Sequence, residues 1–99
     1  MKLEINQTYS FKLNSGEEMV AKVTALGHDA YELDHPVSIA QGPQGMGLVM
    51  SMMTASPQEK VWLNKSSVSL VATTEDGVRM KYLEATTGIK VPEKKLILG

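Results

Sequence analysis

Two histidine–aspartate pairs, His28-Asp29 and Asp34-His35, are the first places in this 99-residue chain to look for chemistry. An imidazole beside a carboxylate can ligate a metal ion, but a stable site needs three or four ligands. Each pair lies within or next to a predicted strand, and no motif anchors a third ligand. A solvated turn and an exposed strand end are the simpler readings. Glu17-Glu18 offers two carboxylates, yet neighbours on a strand point to opposite faces and cannot share acid–base work. Gly42-Pro43-Gln44-Gly45-Met46-Gly47 is rich in glycine but lacks the strand–helix context and the Lys-Ser/Thr pair of a phosphate loop. It reads as a flexible hairpin loop. Serine and threonine are plentiful without a basic partner to activate them, and the absence of cysteine excludes thiol catalysis and thiolate ligands. These residues point away from an enzyme, with no cofactor and no metal expected.

The elements that hold them are short strands. Tyr9, Phe11 and Leu13 alternate with Ser10, Lys12 and Asn14, the period of a half-buried strand. Asn14-Ser15-Gly16-Glu17 is turn chemistry, in which Gly16 can take positive φ and Asn14 and Ser15 can bond the local backbone. Residues 18–26 form a second strand with Met19, Ala21, Val23 and Ala25 on one face, and Gly27-His28-Asp29 turns the chain again. Tyr31, Leu33, Val37 and Ile39 make a third strand, in which Pro36 removes a ladder donor and marks an edge or a bulge. After a loop at 41–45, residues 48–54 are apolar on both alternating faces, so both faces must be covered. Residues 55–58 are a break, 60–63 resume extended structure, and 64–67 are a short turn. Residues 68–72 form a last strand rich in β-branched side chains. Beyond it, Thr74 followed by Glu75-Asp76 resembles a helix N-cap with acids in the first turn. Val78, Tyr82 and Ala85 then share a helical face, and Gly88 can stop the helix. The rival is a hairpin through Asp76-Gly77, with Val78, Met80 and Tyr82 alternating; the helix-favouring run 80–85 supports the helix. Residues 89–99 read as a short extended tail. Its Lys90, Lys94 and Lys95 are interrupted by Glu93, as in a solvated end.

Composition bounds the rest. A chain of this length, 42% apolar with net charge −1, is expected to be one globular domain with a modest core. The near-neutral balance gives no global attraction to nucleic acid, so any such site must be local. From residue 35 to residue 58 there is no Asp, Glu, Lys or Arg, and Met46, Met50, Met52 and Met53 are four of the seven methionines. Glycine, proline and glutamine break this stretch too often for a membrane span. The first residues carry an acid and amides where a signal peptide has an apolar core. A cytoplasmic protein is expected, and no membrane partner. Short strands with turns at roughly ten-residue spacing suggest a small barrel or sandwich.

The order of these elements resembles the Sm-like family. Residues 11–19 are similar to the start of its first motif, with Gly16 at the family's glycine turn and Met19, Val23 and Leu26 at its apolar positions. Residues 61–68 resemble its second motif. Ala21 stands where a second glycine is common, Gly27 and Tyr31 stand where an Asp and an Asn build the base pocket, and Asn64-Lys65 replaces Arg-Gly. The resemblance covers about residues 8–72 and is similar to that of short Sm-like proteins encoded by some tailed phages, which would place the chain in the host cytoplasm. It implies a mainly β fold: a small, strongly bent, five-stranded Sm-like (SH3-like) open barrel at about 8–72, followed by a C-terminal helix and tail at 74–99.

The resemblance also implies a homo-oligomeric ring of roughly five to seven subunits, in which strand four of one subunit pairs with strand five of the next. The seam would then involve Leu48, Met50, Met52 and Met53 on one side and Val68 and Leu70 on the other. Methionine suits such a contact, being flexible and polarisable; the alternative is that Met50, Met52 and Met53 fill gaps in the core. It further implies single-stranded RNA near the ring's pore, where the turns at Gly27-His28-Asp29 and Asn64-Lys65 would meet. His28 and Tyr31 could stack on bases, Asn64 could read a base edge, Lys65 could meet phosphate, and Asp29 enters by a shifted alignment. The bland reading keeps His28, Asp29, Asn64 and Lys65 as turn residues and Tyr31 as a strand residue. Trp62 is expected to anchor the barrel or an interface. Two alternatives stand beside the RNA ring: an adaptor ring that binds a protein partner, and an unrelated SH3-like barrel within a larger assembly.

Overall fold

Alternation governs the N-terminal half of the chain. In the computed structural model, which describes residues 2–56 and 58–87, β1 (Gln7–Leu13) and β2 (Glu18–Leu26) pair antiparallel with Phe11 opposite Met19. Gly16 closes their turn at φ +96°, where a side chain would be strained. Asn14 reaches well beyond that turn. Its amide group donates to the Ser66 carbonyl at 2.7 Å and accepts from the Ser69 hydroxyl at 2.5 Å, which ties the turn to residues 66–69 beside it.

The sheet is organised around β3 (Ala30–Gly42). One side of β3 pairs with β2; the other carries two strands end to end, β4 (Gly45–Met50) and β5 (Val61–Asn64). A one-turn 3-10 segment, Lys65–Ser67, leads into β6 (Val68–Thr73), which pairs with β1. The order is β4-β3-β2-β1-β6, with β5 beside β3. Every pairing is antiparallel, and β6 meets neither β4 nor β5. The described residues are therefore mainly β with one helix after the strands, as expected, but the sheet has six strands where five were expected, and it stays open and does not close into a barrel.

A bulge decides which residues enter the core. Between the pairs Val20↔Val37 and Lys22↔Asp34, β3 spends one residue more than β2. His35 sits in that stretch at φ +51°, in the left-handed region used by one kind of bulge. An extra residue reverses the alternation. Leu33 thus belongs with Phe11, Ala21 and Val23 in the inner cluster, while Val37, four residues on, joins Val20 on the other face. This corrects the single face expected for Tyr31, Leu33, Val37 and Ile39: Tyr31 packs on the inner cluster and Ile39 on the outer. Pro36 marks the bulge that its missing donor suggested.

The outer face is covered by α1 (Asp76–Thr87), so the helix prevails over the hairpin. Its start differs from expectation. The Thr74 hydroxyl is buried and bonded to Ser10 at 3.0 Å, and it is the Glu75 carboxylate that accepts the Val78 N–H at 3.1 Å. Tyr82 is the helix's buried anchor, 2% exposed. Its hydroxyl accepts from the Lys22 N–H at 3.0 Å and donates to the Asp34 carbonyl at 2.8 Å. Lys22 and Asp34 are register partners beside the bulge. The phenol therefore bridges two backbone groups of β2 and β3 at the point where the ladder is interrupted. Burial pushes its pKa up to about 12, partly offset by the Lys22 bond. Gly88 and the expected tail at 89–99 lie outside the described residues.

The apolar run at 48–54 is also corrected. Strand β4 ends at Met50, and Met52 and Met53 lie in an irregular excursion before β5. Ser51 is held at its root by a hydroxyl bond to Ser38 at 2.8 Å, and Ser38 in turn donates to the Glu17 carboxylate. Within one chain the two faces are not covered: Leu48 packs on the outer cluster, whereas Val49, Met50, Met52 and Met53 are exposed. The three methionines are not fillers of this chain's own core. Among the described residues, no helix is long and apolar enough to cross a membrane.

Candidate functional site

The pairing of β5 on β3 brings together residues far apart in sequence. Ala30 lies opposite Asn64 and Tyr31 opposite Leu63, and the Lys65 N–H donates to the Asp29 carbonyl at 2.9 Å. The β2–β3 turn is closed by the Gly27 N–H on the Ala30 carbonyl, also at 2.9 Å. His28, Asp29, Asn64, Lys65 and Ser66 consequently line one open cavity of about 300 Å³. Tyr31 adjoins it through Lys65. Its ring packs on Phe11 with centroids 5.8 Å apart, and the Lys65 ammonium stands 5.1 Å from the Tyr31 centroid. Such a contact favours the cation over the ring face, so Tyr31 carries Lys65 over its ring.

The other members of the cluster are free to meet a ligand. The His28 side chain is 96% exposed, and its 3.6 Å approach to Asp29 is a weak surface contact. Asn64 is exposed and offers both a donor and an acceptor. The cavity thus combines a flat ring, an amide, a cation held in position and one carboxylate, a set suited to recognising a flat polar group beside an anion. Ser66 was not singled out in the sequence; it belongs to the cavity because it follows Lys65 within the 3-10 turn.

The second histidine pair lies elsewhere. His35 Nδ1 is 3.0 Å from Asp34 Oδ1 at the bulge. The two pairs do not converge, and among the described residues no three or more His, Asp or Glu side chains gather as metal ligands do. Glu17, just before β2, accepts from Ser38, and Glu18 lies opposite Lys12.

The residues expected at a seam fall at the two ends of the sheet. β4 and β6 each have one neighbouring strand, which leaves an outer edge unpaired on each. Beside the β4 edge stand Met46, Val49 and Met50, with Met52 and Met53 in the excursion; Met53 is 80% exposed. On β6, Leu70 is 67% exposed, while Val68 packs on the inner cluster. Met50 and Met52 also line a groove of about 470 Å³ between the bulge, the excursion and the last turns of α1. Met46 was missed as an edge residue because it reads as part of the glycine-rich loop.

Of the two roles expected for Trp62, an anchor of the barrel or of an interface, its exposure removes the first. It is 55% exposed and belongs to neither core cluster. Leu63 takes the inward position on β5, so period-two alternation turns Trp62 outward; that signal was present in the sequence. Comparison with models of protein families and with curated proteins finds no match to this chain.

Proposed function

We propose that this chain is an Sm-like subunit that assembles head to tail into a homo-oligomeric ring and binds single-stranded RNA at the cavity formed by His28, Asp29, Asn64 and Lys65. The observation that carries the reading is the convergence of the turns at 27–29 and 64–66, with Lys65 seated on Tyr31. His28 stacks on a base, Asn64 bonds its edge, Lys65 meets a phosphate, and Asp29 accepts from an exocyclic amine. Assembly is supported by the unpaired edges at opposite ends of the sheet, flanked by exposed Met50 and Leu70. An edge that pairs with a different edge of its copy makes a head-to-tail contact, which closes as a ring when the rotation allows. Roughly five to seven copies are proposed, with the cytoplasm, of a host cell if a phage encodes the chain, as the place of action.

The test is fluorescence anisotropy with short uridine-rich and adenosine-rich RNAs. Salt-sensitive binding that weakens in Lys65→Ala supports the reading; no binding of either RNA at micromolar protein overturns it. The alternative is an adaptor ring for a protein partner. It is favoured by the Asp29 carboxylate, which opposes phosphate, and by the largely apolar groove beside Met50 and Met52. In that case the ring forms and the RNAs fail to bind.

A further inference from the structure

We propose that Trp62 is a second stacking platform for a nucleobase, placed so that a strand held at the cavity continues onto it; this rests on the RNA reading above. The argument begins at Gly27. A Cβ at this position would lie 2.8 Å from the Ala30 carbonyl oxygen and 3.3 Å from Cζ3 of Trp62. The Ala30 carbonyl is what excludes a side chain at Gly27, and the indole edge of Trp62 lies close beside the same position, against the turn that carries His28. One edge of the ring lies near Gly27 while more than half of the residue's surface stays open. A large, flat, pre-positioned aromatic with an open surface is what base stacking requires, because little side-chain freedom is lost on binding.

Position links this platform to the cavity. Trp62 and Asn64 share a face of β5, two residues and about 7 Å apart, and Asn64 lines the cavity with Lys65. Charge selects which part of the nucleotide faces the indole. Glu32 lies opposite Trp62 in the register, and its carboxylate accepts from the Thr24 hydroxyl at 2.8 Å. A phosphate is disfavoured beside that carboxylate and favoured at Lys65, so the strand presents a base to Trp62. Stacking of this kind tolerates any base, since every base has a flat face.

Trp62 is the chain's one tryptophan, so its fluorescence reports on this site directly. The full-length wild type is titrated with a uridine hexamer, an adenosine hexamer and an abasic ribose-phosphate hexamer. The expected result is quenching by both base-bearing oligomers and none by the abasic one. Trp62→Leu should weaken hexamer binding about 5- to 150-fold, the range for loss of one stacked base, with the salt dependence unchanged because no phosphate contact is lost. Trp62→Phe should keep most of the affinity. If the hexamers bind and Lys65→Ala weakens them while Trp62 is silent and Trp62→Leu binds as wild type does, the platform is overturned and the cavity stands. If no hexamer binds, both fall. A drop in oligomeric mass in Trp62→Leu, with RNA affinity per subunit unchanged, assigns Trp62 to subunit contact and overturns the platform.

Discussion

Replacing Tyr82 with Phe removes one oxygen atom and nothing else of the ring, which makes it a sharp test of how the helix is held. The phenol pairs two part-buried backbone groups, the Lys22 N–H and the Asp34 carbonyl, at a break in the ladder. A typical hydrogen bond contributes about 1 kcal/mol net, and a buried group left without a partner costs about 1–3 kcal/mol. With both groups orphaned the sum is about 2–6 kcal/mol, and their partial burial places the expected loss toward its lower end, a large share of the roughly 5–15 kcal/mol that holds an ordinary domain together. At about 4–8 °C per kcal/mol for a domain of this size, even the lower figure lowers Tm by roughly 8–16 °C. Urea denaturation at one fixed protein concentration is the assay, because any assembly makes stability depend on concentration. The midpoint should fall with little change in slope. Tyr9→Phe is the control, since the Tyr9 hydroxyl pairs only the Glu4 N–H near the chain's start; its loss should be about 1 kcal/mol. The reasoning is refuted if Tyr82→Phe is within about 0.5 kcal/mol of the wild type.

Three further outcomes are expected. With the Tyr82 pKa raised to about 12 by burial, the neutral phenol is favoured in the folded state; the associated stability is fully present below about pH 10 and declines as pH rises toward 12, a decline that Tyr82→Phe should lack in pH-dependent unfolding. His35 holds φ +51° in the bulge, so His35→Val should destabilise by about 1–3 kcal/mol and His35→Gly should come closer to the wild type in the same urea assay; equal effects would remove the backbone as the cause. Met50 is exposed in the single chain, so Met50→Glu should leave the circular dichroism of the fold intact while lowering the mass seen by light scattering, and an unchanged mass would remove Met50 from the seam.

What could be read from the sequence was local. The span of β2 follows from its alternation, the turn at Gly16 from its chemistry, and the helix from its run of favourable residues against a weaker hairpin signal. The reversal of faces after Leu33 could not be read, because a left-handed histidine in a bulge leaves no mark on hydrophobic periodicity beyond the proline that follows it. Tyr82 was assigned to a helical face, but not to the broken ladder at Lys22 and Asp34, since that contact joins residues 60 positions apart. The grouping of His28, Asp29, Asn64 and Lys65 came from family resemblance, and the pairing of β3 with β5 supplies the physical reason for it. The excursion after Met50 was hidden by the apolar character of Met52 and Met53, which looked like strand continuing. Trp62 shows the converse: alternation with Leu63 turned it outward, but its size suggested an anchor of the barrel or of an interface.

The proposed RNA ring is tested most directly by titrating the wild-type chain with a short uridine-rich RNA at about 50 and about 200 mM salt, beside Lys65→Ala. One Lys65–phosphate contact in each of roughly five to seven subunits gives a slope near −0.7 per contact in log K against log salt, or a loss of roughly 10²- to 10³-fold across that range. The account predicts that loss in the wild type and a nearly flat dependence in Lys65→Ala. Binding that is equally salt-dependent in the variant, or no binding in the wild type, contradicts it.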